Sequence, residues 1–324
     1  MEENLSNPDQ NLRRNRKARD LMPQLRGRKR RRGIALLPSL FTLGNCLSGF
    51  ASLNYASLPA EFGDNPVFSP HFRTAGYFIF LAMVFDLFDG FVARLTRSAS
   101  DFGAELDSLA DMVSFGIAPA YLSIHLIGEL KGNGYLSIPG PFQDDDWLRL
   151  FWIIAGIYVA CTALRLARFN MFLRHDVLSH MSFRGLPSPG AAALVAGTVV
   201  FFVSLGLRHH YFFNVSPQMQ AGMRQVFPYI LPVVLLIAAL LMVSRFVYAH
   251  LINRFLRGRK RFRTVVGFML LVMGILWEPQ ICLLTGIYMY ALSAPVSWAV
   301  RSLRGKGAAT AASTSKEPTS STSG

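Results

Sequence analysis

Four aspartates, Asp86, Asp89, Asp107 and Asp111, stand in stretches that otherwise read as buried helix, FDLFDGFVAR (residues 85–94) and DFGAELDSLADMVSFG (residues 101–116). A carboxylate held away from water is costly unless cations or hydrogen bonds offset it. On a helix, Asp86, Asp89, Gly90 and Ala93 fall at i, i+3, i+4 and i+7 and share one face; Gly103, Asp107, Ala110, Asp111 and Ser114 do so on the next helix. Small neighbours let a bulky or phosphorylated group approach the backbone. Four anions at one place cannot all stay ionised without cations. All-oxygen ligation suits a hard divalent ion, Mg²⁺ or Mn²⁺ more than Zn²⁺, and Mg²⁺ commonly joins carboxylates to substrate phosphates. The expected chemistry is that of a metal-held phosphate.

Two helices must bring these acids together. The linker Leu95 to Phe102 is mostly polar and can reverse the chain, giving an antiparallel pair. Asp89 lies five residues before Arg94 and Asp107 five residues after Phe102. At a rise of about 1.5 Å per residue, both acidic pairs sit at similar depth near one membrane surface. Two other readings compete. Buried ion pairs with Arg94, Arg97, Arg165 and Arg168 would account for single acids, less well for four at matched depth. An ion or proton relay in a transporter also uses intramembrane acids, but such sites tend to lie near the midplane on helices related by repeats. Here the acids are superficial, and no internal repeat of fixed period is found.

The solvent around these helices is a bilayer. Hydrophobic residues make up 52% of the chain and charged residues only 16%, and apolar runs of spanning length recur. The expected fold is an all-α integral membrane protein with about eight transmembrane helices. Spans are expected near 34–57, 74–96, 103–129, 149–173, 189–207 and 228–249, followed by a two-helix hairpin in 264–300 broken at Trp277, Glu278 and Pro279. With the N-terminus cytoplasmic, only Arg73, Lys131, Arg149, Arg208 and Arg224 of the 33 Lys and Arg fall outside, and an even span count returns the C-terminus to the cytoplasm. The first apolar run, from about residue 34, reads as a retained anchor rather than a cleaved signal.

Three regions follow: a basic, largely disordered extension (1–33), one membrane domain (34–300) and a disordered Ser/Thr-rich tail (301–324). The net charge of +14 and the clusters RGRKRRRG (26–33) and RFLRGRKRFR (254–263) would suggest nucleic acid in a soluble protein. At membrane boundaries they read instead as topogenic segments attracted to anionic lipid, so no nucleic-acid partner is expected. Cys46, Cys161 and Cys282 all fall in spans and match no disulfide or metal pattern, and His209 and His210 have no acidic or thiol neighbour in sequence.

The run from Asp86 to Asp111 resembles the signature of the CDP-alcohol phosphotransferase family, D-x2-D-G-x2-A-R-x8-G-x3-D-x3-D, at every fixed position. PSLFTLGN (38–45) is similar to that family's P-N-x2-T-x2-N pattern, with Ser39 in place of the first Asn. SLADMVSFGIAPA (108–120), RLARFN (165–170), FRGLPSPGAAA (183–193) and LMVSRF (241–246) resemble its bacterial, membrane-embedded, serine-accepting members. The similarity covers roughly residues 34–300.

The resemblance implies transfer of the phosphatidyl group of CDP-diacylglycerol to the hydroxyl of L-serine with release of CMP. It implies that Asp86, Asp89, Asp107 and Asp111 hold one or two divalent ions and that Asp111 is also the general base. Thr42, Asn45, Gly90, Ala93, Arg94 and Ser100 would meet CDP-diacylglycerol. An amino-acid carboxylate needs a cation, and Ser114, Arg165, Arg168 and Arg184 are the candidates around serine. No Cys, His or Ser has the setting of a nucleophile, so direct transfer is expected. Glycerol phosphate, inositol phosphate or choline remain alternative acceptors, and a transporter the alternative of another class. The location implied is a bacterial inner membrane with the site facing the cytoplasm, among membrane lipids; a homodimer through the later spans stays open.

Overall fold

In the computed structural model the described residues are 38–58, 69–96, 101–131, 146–174, 185–206, 216–246, 248 and 279–314. They form helices and connections, with no strand among them. In chain order these are α1 (38–56), α2 (Pro70–Thr96), α3 (Asp101–Asp111), a π-helical turn (Met112–Ile117), α4 (Ala118–Leu130), α5 (Asp146–Arg174), α6 (Ser188–Gly206), α7 (Pro217–Val243) and α8 (Pro279–Thr314). The α3, π-turn and α4 segments form one continuous helical path.

Among the described residues, five stretches are long and apolar enough to cross a membrane: Phe102–Leu130, Asp146–Met171, Ser188–Gly206, Gln218–Val243 and Gln280–Ala299. This makes the chain a multi-pass membrane protein. Helices α1 and α2 occupy the first two expected spans; α1 carries more polar residues, and the reason is visible in its packing. Its buried face is Thr42, Asn45, Ser48, Ser52 and Ala56, while Leu40, Leu43, Leu47 and Phe50 point outward. In lipid, apolar residues face the solvent and small or polar ones make the helix contacts, the inverse of a soluble bundle. The expected crossing before Pro279 lies outside the described residues, as do both basic clusters, the adjacent histidines, residues 1–37 and residues 315–324. Pro279 opens α8, as the hairpin reading expects of a residue without a backbone N–H. The helix then continues to Thr314, into the stretch whose composition reads as tail.

Helix α6 is the centre of the bundle. Its residues from Ala191 to Val200 are buried almost without interruption, which follows from the small, apolar sequence AAALVAGTVV. Gly76 of α2 lies against Val200, and Gly197 lies near Ile287 and Leu283 of α8, so backbones approach where side chains are missing. Thr198 and Tyr288 hydroxyls meet at 2.9 Å across the same seam. All three cysteines are free.

The entry to α6 is clasped to the end of α7. The Gly185 N–H donates to the Phe246 carbonyl at 2.8 Å and the Leu186 N–H to the Leu241 carbonyl at 2.9 Å. Gly185 has φ +92°, and a Cβ there would strike the Met242 carbonyl. Only glycine adopts this backbone without strain. Gly185→Ala therefore destabilises the protein by roughly 1–3 kcal/mol, read as a lower Tm in detergent. By contrast, Gly156→Ala on α5 has open space around it and raises stability by about 0.5–1 kcal/mol. Equal Tm values for the two variants would contradict the clasp.

Candidate active site

The last turns of α2 carry Asp86 and Asp89, and the second turn of α3 carries Asp107. One carboxylate oxygen from each lies within 4.8 Å of the others. Asp89 is buried and the other two partly so. One turn farther along α3, Asp111 is buried and accepts a 3.0 Å hydrogen bond from Asn45 Nδ2 of α1. The helical spacing thus translates into a shared site built by three helices.

Among the described residues none of the four acids makes an ion pair. Asp89 Oδ2, Asp107 Oδ1 and Asn45 Oδ1 are buried without a partner among the described residues. All three are acceptors. A buried cluster that offers only oxygen lone pairs, with its negative charge unpaired, fits a hard divalent cation by donor type and by spacing. Ion pairing with Arg94 or Arg168 does not account for these acids; Arg97 lies outside the described residues.

Asp111 is placed by a device that the sequence does not announce. The helix widens to a π turn immediately after it, over Met112–Ile117. Such turns interrupt the regular backbone ladder and recur at functional sites. Here three buried side chains brace it. Ser114 Oγ donates to the Asn45 carbonyl at 2.9 Å, and Tyr158 Oη of α5 donates to the Phe115 carbonyl at 2.8 Å. Thr162 contacts Gly116, where a Cβ would sit 3.2 Å from its methyl group. Gly49 of α1 admits Ser114, since a Cβ there would lie 2.8 Å from the Ser114 Cα. Asn45 is therefore held at its backbone by the π turn while its side chain holds Asp111.

The other candidate residues are distributed around this cluster. Thr42 is buried next to Asp89, its hydroxyl donating to the Pro38 carbonyl at 3.1 Å. Gly90 faces open space: a Cβ would meet only Arg94 Nη1, at 4.0 Å. Ala93 is half-buried and Arg94 exposed. Arg165 is half-buried, donates to Ser188 Oγ at 2.6 Å and lies close enough to Asp86 and Asp111 to interact with their charge. Arg168 is exposed, and Ser114 belongs to the packed seam just described. Ser100 and Arg184 lie outside the described residues. Sequence reasoning did not single out Tyr158, Ser188 or Asn170, which exchanges hydrogen bonds of 2.9 and 3.1 Å with Ser108. Ser188 and Asn170 lie in segments marked only as resemblances, and Tyr158 lies in none.

Residues 35–220 match the profile of the CDP-alcohol phosphatidyltransferase family. That region contains all four acids and Asn45. The chain belongs to this family. Relatives include proteins named CDP-diacylglycerol–serine O-phosphatidyltransferase. One, from Methanocaldococcus jannaschii, is 44% identical over 37% of this chain and 47% of its own length. Another, from Helicobacter pylori, is 33% identical over 55% of this chain and 61% of its own length. A third, from Saccharomyces cerevisiae, is 41% identical over 43% of this chain and 45% of its own length. The chain spans about half the length of the relatives it matches. In CDP-alcohol phosphatidyltransferase terms, the matched region ends at residue 220, before most of α7 and all of α8.

The brace on the π turn predicts a specific sensitivity. Tyr158→Phe keeps the ring and leaves a buried carbonyl without its donor, which costs about 1–3 kcal/mol, measurable as a lower Tm in detergent. An unchanged Tm would mean that the Phe115 carbonyl finds another partner.

Proposed function

We propose that this chain transfers the phosphatidyl group of CDP-diacylglycerol to the hydroxyl of L-serine, forming phosphatidylserine and CMP. The observation that carries this reading is the cluster of Asp86, Asp89 and Asp107 within 4.8 Å, with Asp111 fixed beside it by Asn45, inside the family-matching region. Serine as acceptor is supported by the names of the relatives.

Asp86, Asp89, Asp107 and Asp111 would hold one or two Mg²⁺ or Mn²⁺ ions. When bound, the metal supplies neutralisation of the diphosphate and of the departing phosphate. The remaining steps belong to the chain's own residues. A serine hydroxyl is a weak nucleophile near neutral pH and needs a positioned base. Asn45 donates to Asp111 Oδ1, which orients the carboxylate and leaves its other oxygen for the hydroxyl proton. As that proton moves to Asp111, the serine oxygen bonds to the β-phosphorus. The bond from that phosphorus to the bridging oxygen breaks, and CMP leaves with the electron pair. No covalent enzyme intermediate is needed, so configuration at phosphorus inverts.

Gly90 gives the nucleotide close access to α2, with Ala93 beside it. Arg94 offers a planar donor fork to phosphate oxygens, and Thr42 and Ser100 complete the contacts to CDP-diacylglycerol. Arg165, with Arg168 and Arg184, provides positive charge for the serine carboxylate, while Ser114 supports the site by fixing Asn45. The site faces the cytoplasm of a bacterial inner membrane, where a water-soluble amino acid meets a substrate whose acyl chains stay in the bilayer.

Purified protein with CDP-diacylglycerol and Mn²⁺ or Mg²⁺ releases CMP only when L-serine is added, forms an amino-containing lipid in step, and inverts a chiral phosphorus. Asp111→Asn lowers that rate at least ~100-fold. Release supported by another hydroxyl acceptor but not by serine would contradict the acceptor, retention at phosphorus would contradict direct transfer, and no release at all would contradict the enzyme.

A further inference from the structure

Arg165 has more capacity to bind than its surroundings use. A guanidinium carries five N–H donors in a rigid planar fork. In Arg165 one nitrogen donates to Ser188, and no ion pair is formed among the described residues, although Asp86 and Asp111 lie nearby. Its remaining donors have no carboxylate partner among the described residues.

Two further side chains fix where that fork points. Ser188 is buried at the start of α6, directly after the segment clasped to α7 through Gly185 and Leu186, so its hydroxyl has little freedom. Tyr290 of α8 packs over the same helix start: a Cβ on Gly190 would lie 3.4 Å from Tyr290 Cε1. Tyr290 therefore lies against the turn of α6 that carries Ser188, the partner of Arg165. Tyr290 is steadied in turn by Tyr248, whose ring centroid lies 5.5 Å away and whose hydroxyl donates to the Ala291 carbonyl at 2.9 Å. Arg165 of α5 is thus bonded to Ser188 at the start of α6, and Tyr290 of α8 packs on that helix start.

The chemistry Arg165 would recognise follows from its positive charge beside the acids that include Asp111. A hydroxyl acceptor whose proton goes to Asp111 and which carries a planar anion a few bonds away places that anion at the Arg165 fork. A carboxylate matches the fork in shape and charge. We propose that Tyr290 and Ser188 are positioning residues that hold Arg165 to receive the carboxylate of the amino-acid acceptor, so that the last helix, beyond the family-matching region, sets acceptor selectivity. This assignment rests on the serine-accepting reading above.

The test compares L-serine with L-serinamide, which keeps the hydroxyl and amine and lacks the carboxylate, and with glycerol 3-phosphate. The readout is the ratio of kcat/KM for serine to that for serinamide, taken on one preparation, which a lower folded fraction cannot alter. The wild-type protein favours serine by about tenfold or more. Arg165→Gln brings the ratio toward one. Tyr290→Phe and Ser188→Ala lower it about three- to tenfold, chiefly through a higher KM for serine. A wild-type ratio near one, or wild-type ratios in both Tyr290→Phe and Ser188→Ala, would overturn the assignment. CMP release with glycerol 3-phosphate and none with serine would overturn the serine-accepting reading itself, and this assignment with it.

Discussion

Carboxylates that share a space poor in water repel one another and lose hydration together, and few arrangements make that tolerable. Here Asp86, Asp89 and Asp107 are gathered within 4.8 Å, Asp111 is buried beside them, and none forms an ion pair among the described residues. Much of the surrounding architecture serves this constraint. The polar inner face of α1 supplies an amide donor to Asp111. Small residues on α1 and α2 let the backbones approach. The neighbouring guanidinium of Arg165 is near enough to moderate the field without neutralising it through an ion pair. A site built this way is suited to receive positive charge.

The π turn is the second structural decision. Inserting a widened turn directly after Asp111 separates the part of the helix that presents acids from the part that packs in the bundle core. Its backbone is not left to chance: Ser114, Tyr158 and Thr162 brace it from inside, and Gly49 makes room for it. One hydrogen-bonded path therefore runs from the core of α5 through the π turn and Asn45 to Asp111. Asn45 thus orients the acid whose carboxylate it holds.

How much of this was legible depended on whether the signal was periodic. The faces Asp86–Asp89–Gly90–Ala93 and Gly103–Asp107–Ala110–Asp111 follow from helical spacing alone, and their meeting was foreseeable from the polar linker between them. Hydropathy located the helices through α7 but gave α1 less apolar character than the other spans, because its inner face is polar. The π turn left no trace in VSFG, since nothing about a widened turn changes the periodicity of the residues before it. Ser188 and Tyr290 were invisible for a different reason. Each acts through Arg165, from helices far away in sequence, and ordinary Ser and Tyr residues gain such roles only when a fold brings them together. Asn45 was marked through the family pattern as a substrate contact; its bond to Asp111 required coordinates.

The central claim is that the four acids form a divalent-cation site rather than a purely structural cluster. Mn²⁺ titration of the detergent-purified full chain, followed by electron paramagnetic resonance of the free ion, tests it without relying on turnover. The account predicts at least one tightly bound Mn²⁺ per chain, with affinity falling at least ~tenfold in Asp89→Asn and in Asp107→Asn. Binding that is equally weak, or equally strong, in the wild type and both variants would contradict it.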